Sequence, residues 1–297
     1  MASSKVKHSM KDSCIKRKAA QGFTLMELIL VIIILGIMSV GISGFITLST
    51  QTYLNATNRD ELIGNARFAI ERLNRDLRNA VPSSIRIKEF DGNRTQCIQF
   101  TPIKASTIYT DIPVLPEVAS QTLSVIPFNG EGGAHYECDA DCTDMVTVYP
   151  LDSGDIYANH LDATGKVFLV DNVDKTVVPW KINILNGAIH FDEDSPTQRL
   201  YITEEQVSYC VISTGSGGIG GIMIRYRDKI TEGDQTSPGS KPFLMAGYLI
   251  NDIRGQFPFN YQQATLQRNA VVQIHLHFTK EDEHYVFDHE VHINNVP

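Results

Sequence analysis

From residue 23 to residue 48 the chain is almost unbroken apolar sequence, and no other stretch of its 297 residues approaches this. Residues 28–48 alone make a helix roughly 30 Å long, about the thickness of the hydrocarbon core of a bilayer. A stretch of this length and composition reads as a single membrane-spanning helix. It divides the chain into a short N-terminal piece, one span and a long body.

Charge is distributed unevenly about that span. The whole chain carries −8. Residues 1–22 hold six basic side chains (Lys5, Lys7, Lys11, Lys16, Arg17, Lys18) against one acid, Asp12. That leaves 20 of the 26 Lys and Arg and 33 of the 34 Asp and Glu to the remainder, a net −13. A basic cluster directly before a span stays in the cytoplasm. The body is therefore expected in the periplasm, an oxidising compartment. Its acidity excludes an electrostatic footprint for nucleic acid and disfavours flat adsorption onto anionic lipid.

An ordinary secretory signal is cut after its apolar core, at small residues. Here the sharpest local pattern comes before it: Gly22-Phe23-Thr24-Leu25-Met26-Glu27. This segment resembles the processing site of type IV prepilins. The resemblance implies cleavage between Gly22 and Phe23 by a prepilin peptidase, N-methylation of Phe23, and retention of the apolar helix. It also implies that Glu27 pairs with the N-terminal amine of a neighbouring subunit. A carboxylate inside a membrane costs a few kcal/mol on the mildest scales and usually marks function. The bland alternative is an interfacial acid that snorkels and benefits from the positive end of the helix dipole. Gly36, Gly41 and Gly44 within the span fit either close helix packing or local unwinding in a fibre.

Beyond the span, Leu62, Ala66, Ala69, Ile70, Leu73 and Leu77 recur at three- and four-residue spacing, an apolar stripe on a continuing helix. Arg67, Glu71, Arg72, Arg75, Asp76 and Arg78 read as its solvated face, and Pro82 ends it. After Pro82 the pattern changes to β-rich runs at 84–90, 96–100, 145–149, 166–170, 206–212, 222–226, 270–278 and 284–293. Turn-rich breaks separate them at 129–133, 152–155 and 231–240. The expected fold is α+β: a long N-terminal helix, membrane span continuing into an amphipathic stalk, packed on an antiparallel β-rich globular domain. The expected boundaries are leader 1–22, transmembrane helix 23–48, amphipathic helix 49–81 and globular domain 82–297. Residues 71–82, Val207-Ser208-Tyr209-Cys210 and Ile224-Arg225-Tyr226 also resemble parts of large minor pilins of the J/W type.

Five cysteines occur, and removal of a leader containing Cys14 leaves four. Four cysteines in an exported body suggest two disulfides, with three connectivities open. Spacing favours Cys138–Cys142 across a short loop and Cys97–Cys210 on neighbouring strands. A four-thiolate zinc site is the rival, but only one close Cys pair is present. His275, His277, His284, His289 and His292 fall on two successive strands, where a hairpin gathers imidazoles round a metal or merely presents a polar face. Acidic turns at 152–155 and 171–174 offer oxygen ligands for calcium, though neither matches an EF-hand, and solvated turns are the simpler reading. The glycine run at 215–221 lacks the Lys and Ser/Thr of a phosphate-binding loop and reads as a flexible loop. No cofactor, no resident metal and no enzymatic site is expected.

The resemblance thus implies a structural subunit that helps start or cap a type IV pilus. Its expected partners are other minor and major pilins, the prepilin peptidase and the inner-membrane assembly platform. Two alternatives stay open: a large pseudopilin of a type II secretion system, and a tip-located adhesin.

Overall fold

The computed structural model describes residues 22–293, without 93, 139–141, 186, 214–219, 252, 254, 265–267 and 282. The basic leader with Cys14, the Asp139-Ala140-Asp141 segment and most of the glycine run lie outside the described residues. The fold is α+β. Helix α1 spans Leu25–Arg78. There follow β1 (Arg86–Phe90), β2 (Thr95–Phe100), β3 (Ala105–Asp111), β4 (Thr122–Val125) and β5 (Met145–Val148). A short helix α2 (Ser153–Ile156) precedes β6 (Thr164–Gly165), β7 (Val167–Asp174), β8 (Trp180–Ile184), β9 (His190–Phe191) and β10 (Arg199–Thr203). The chain continues through β11 (Glu205–Ile212), β12 (Gly221–Lys229), β13 (Lys241–Leu249), β14 (Phe259–Gln262), β15 (Ala270–Lys280) and β16 (Glu283–Ile293).

The chain divides between Asn55 and Ala56 into two units. The first consists of the apolar part of α1. The second holds the rest of that helix and every described strand, arranged as two large β bodies and a small parallel pair, β6-β9. One is an eight-stranded antiparallel sheet in the order β1-β2-β11-β12-β13-β15-β14, with β16 on β15. The other is a closed barrel, β10-β3-β4-β8-β7-β5.

The apolar stripe of α1 explains the sheet. Leu62, Ala66, Ala69, Ile70, Leu73 and Leu77 are buried in one cluster with Ile98, Phe100, Val207, Tyr209 and the alternate residues of β15. The small Ala66 and Ala69 let the helix approach the sheet, and Leu62, Ile70, Leu73 and Leu77 fill the space around them. Each fully buried Leu or Ile contributes about 1.5–3 kcal/mol relative to exposure. The helix stops at Arg78, where Asn79 N–H bonds to Asp76 C=O and Ala80 N–H to Leu77 C=O in a tightened last turn.

Strands β2 and β11 are buried nearly throughout, so both faces are covered. One face meets α1. On the other, Gln99 Nε2 donates to Ser208 Oγ at 2.9 Å. Cys97 stands directly opposite Cys210 on that face. The barrel was not anticipated. Its core collects Leu123, Val125, Val146, Val148, Phe168, Phe191 and Leu200. A third cluster, with Val81, Ile156, Tyr157 and Tyr201, joins the two β bodies. There the Tyr157 hydroxyl donates to Ser84 C=O, and the Arg86 guanidinium lies 3.6 Å from the ring centre of Tyr157.

Candidate functional site

Gly22, Phe23 and Thr24 precede the first turn of α1. Phe23 is 80% exposed. Thr24 caps the helix: its Oγ1 accepts from Glu27 N–H at 3.3 Å, and its C=O accepts from Glu27 and Leu28 N–H. Glu27 is therefore the third helical residue, within the first turn, where free N–H groups and the helix dipole favour a negative charge. Thr24-x-x-Glu27 ahead of an apolar run is the sequence signature of a capping box. The Thr24 cap is thus legible in the sequence through its spacing to Glu27.

The remainder of the first unit suits a lipid environment. Its residues are exposed from Gly22 to Asn55 in this chain, large apolar side chains included. The helix is long and apolar enough to cross a membrane. Several of its hydroxyls are satisfied internally: Ser39 bonds to Leu35 C=O, Thr47 to Ser43 C=O, Thr50 to Ile46 C=O and Thr52 to Leu48 C=O. Such back-bonding removes the penalty of an unpaired donor in hydrocarbon. A Cβ added at Gly36, Gly41 or Gly44 meets nothing within 4 Å. Contacts within this chain therefore do not explain those glycines, which leaves their close-approach surface open to other helices.

The four body cysteines form two bridges, Cys97–Cys210 within the sheet and Cys138–Cys142 beside the barrel core. Cys138, Cys142 and Asp144 are the one group of potential ligands brought together among the described residues, but its sulfurs are bonded to each other. The histidines do not gather. β15–β16 register sets His275 opposite Asp288, His277 opposite Val286, His284 opposite Thr279 and His292 opposite Val271. His289 pairs with Ile274 and faces the other way. His275 Nδ1 lies 2.6 Å from Asp288 Oδ1.

The acidic turns are engaged locally. Asp152 and Asp155 form a capping box on α2, and Asp155 also accepts from Leu151 N–H and the Lys166 ammonium. Asp174 accepts from both the backbone and the hydroxyl of Thr176, which holds its carboxyl below the usual range.

One site residue was misjudged. Asp76, read as part of a solvated helix face, is tied down at the helix–sheet seam. Its Oδ2 receives Arg225 Nε at 2.9 Å and the Tyr209 hydroxyl at 2.8 Å, while Oδ1 receives Arg72 Nε at 3.1 Å. Asp76 falls next to Ala69 in the helical wheel, just outside the border of the buried stripe. A border position accepts an acid when the sheet supplies a cation and a phenol.

The family model described as the prokaryotic N-terminal methylation motif matches residues 17–43. No curated protein and no solved structure matches the chain. The matched segment contains Gly22, Phe23, the Thr24 cap and Glu27, and it supports a type IV prepilin-like protein anchored in a membrane by its apolar N-terminal helix. It implies processing by prepilin peptidase and assembly with other pilins.

Proposed function

We propose that this protein is a minor pilin that initiates or caps assembly of a type IV pilus, within a small complex at or just beneath the tip. Its size and its Tyr136-Glu137-Cys138-Asp139-Ala140-Asp141-Cys142 segment resemble MshO, a minor pilin of the mannose-sensitive haemagglutinin pilus. On this reading the peptidase cuts between Gly22 and Phe23, and Phe23 is methylated. The helix remains in the inner membrane with the β-rich part in the periplasm until the assembly platform extracts it. Glu27 then pairs with the free amine of an adjacent pilin and sets axial register.

One observation carries the reading: a carboxylate with no charged partner among the described residues occupies the first turn of an exposed apolar helix, four residues after a Gly-Phe junction. An unpaired charge there is unfavourable in lipid, and a partner on an adjacent subunit relieves it. Glu27→Ala tests it. Removal of the charge favours insertion and leaves the second unit untouched, so membrane insertion and both disulfides are expected to persist. Co-purification with the other pilins and pilus number are expected to fall. Unchanged recovery and normal piliation would reduce Glu27 to a tolerated interfacial acid.

A further inference from the structure

The two ends of the large sheet are treated differently. Strand β1 is five residues long, and its neighbourhood includes β14. Strand β16 is eleven residues long, pairs with β15 at every position without a bulge, and has no described strand on its other side. Natural edges are usually blunted by charged side chains (lysine above all), a proline, a bulge or shortness. Strand β16 has no lysine, proline or bulge and is long, and the charges it exposes are the acids Asp288 and Glu290.

The hydrogen-bond polarity of β15 shows which groups of β16 are open. His275 N–H bonds to Pro258 C=O, His277 C=O accepts from Ile250 N–H, and the Asn251 side chain takes His275 C=O and His277 N–H. The odd-numbered residues of β15 therefore bond away from β16, and its even-numbered residues bond toward it. Through the register, Tyr285, Phe287, His289, Val291 and Ile293 are the β16 residues bonded to β15. The N–H and C=O groups of His284, Val286, Asp288, Glu290 and His292 point outward. The same five residues are exposed.

We propose that the outer edge of β16 is a docking strand for an extended segment of a different pilin subunit, one that presents Lys or Arg on its solvent face. This rests on the minor-pilin reading and names its lateral contact. Charge selects the partner. The β16 solvent face carries Asp288 and Glu290, which face His275 and Gln273 of β15 on one side and are exposed toward the open edge, beside His284 and His292. The strand contains no Lys or Arg. A second copy is disfavoured, because the full eleven-residue antiparallel overlap is centred on Asp288 and sets that acid against itself. An added strand also extends the sheet over Tyr285 and Phe287, which are only partly covered.

The test uses the full chain in cells that build the fibre, with a photo-crosslinking residue at His292. The expected adduct contains a different chain with a prepilin-type N-terminus. Its yield is expected to fall about tenfold in the Asp288→Lys/Glu290→Lys variant, through like charges across the added pair. Val286→Pro, which removes only an outward N–H, is expected to do the same. Both variants should keep their disulfides and resist protease as the parent does. An adduct with a second copy overturns the choice of partner. Absence of any adduct, or an adduct indifferent to both variants, in a chain that still co-purifies with pilins overturns the edge and leaves the minor-pilin reading intact. Failure to co-purify with any pilin overturns both.

Discussion

Asp76 on α1 and Arg225 on β12 form an ion pair at 2.9 Å, with each side chain only about one-tenth exposed. The pair crosses the seam between helix and sheet, and the Tyr209 hydroxyl donates to the same carboxylate oxygen. Burial, reinforced by Asp76, pushes the Tyr209 phenol up.

Asp76→Ala is expected to destabilise the second unit by about 3 kcal/mol, because it strands a guanidinium and a phenol away from water. Arg225→Ala should cost a similar amount. The double variant should cost less than the sum, since the pair is lost only once. Denaturant midpoints of the purified chain, with an unchanged slope, measure this.

The stripe that packs α1 on the sheet was legible because six apolar residues keep helical spacing. The barrel was not. Strand β4 has only four residues, and β3 alternates through Ala105, Thr107 and Tyr109, a pattern too weakly apolar to mark a core face. Closure depends on pairings between distant segments, such as β10 with both β3 and β5, which local periodicity does not encode. The role of Asp76 was hidden for the same reason: its partners on the sheet, Tyr209 and Arg225, lie more than a hundred residues away in sequence.

The two disulfides should contribute unequally. Cys97–Cys210 closes a separation of 113 residues and Cys138–Cys142 one of 4. Restriction of the unfolded chain gives about 4–5 kcal/mol for the first and about 2 kcal/mol for the second. Paired Cys→Ala variants, compared by urea unfolding, should follow that order.

Alkali should unfold the second unit cooperatively. Burial raises the phenols of Tyr109, Tyr136, Tyr157 and Tyr209 above their ordinary 10.0, with the nearby carboxylates Asp194, Asp144 and Asp76 adding to this at Tyr109, Tyr136 and Tyr209. A raised folded pKa stabilises fully below the unfolded value and is lost as pH rises through the folded one. Stability is therefore flat with respect to these groups below pH 10 and declines above it. Tyrosinate absorbance should appear together with loss of β-sheet ellipticity. A tyrosinate signal for all four residues before unfolding would contradict their burial.

Processing has a local test. Gly22→Val places a branched side chain at the proposed cleavage junction, and intact mass should then show the uncut chain, while the parent begins at a methylated Phe23. Thr24→Ala should leave cutting in place but remove the helix cap, at a cost of about 1 kcal/mol to the first turn.

The packing of α1 also has a mechanical meaning. Its buried residues run from Leu62 to Leu77, roughly 23 Å along the axis. Tension along that axis strains all six contacts together in shear, instead of breaking them one by one as in peeling. A slip of one turn would drive Leu73 into the seat of Ala69 and Asn74 into that of Ile70, overfilling one and burying an amide in the other. The alternation of large and small side chains cuts the helix like a key for one axial position. A subunit drawn out of the membrane by its helix would carry its sheet along without losing register.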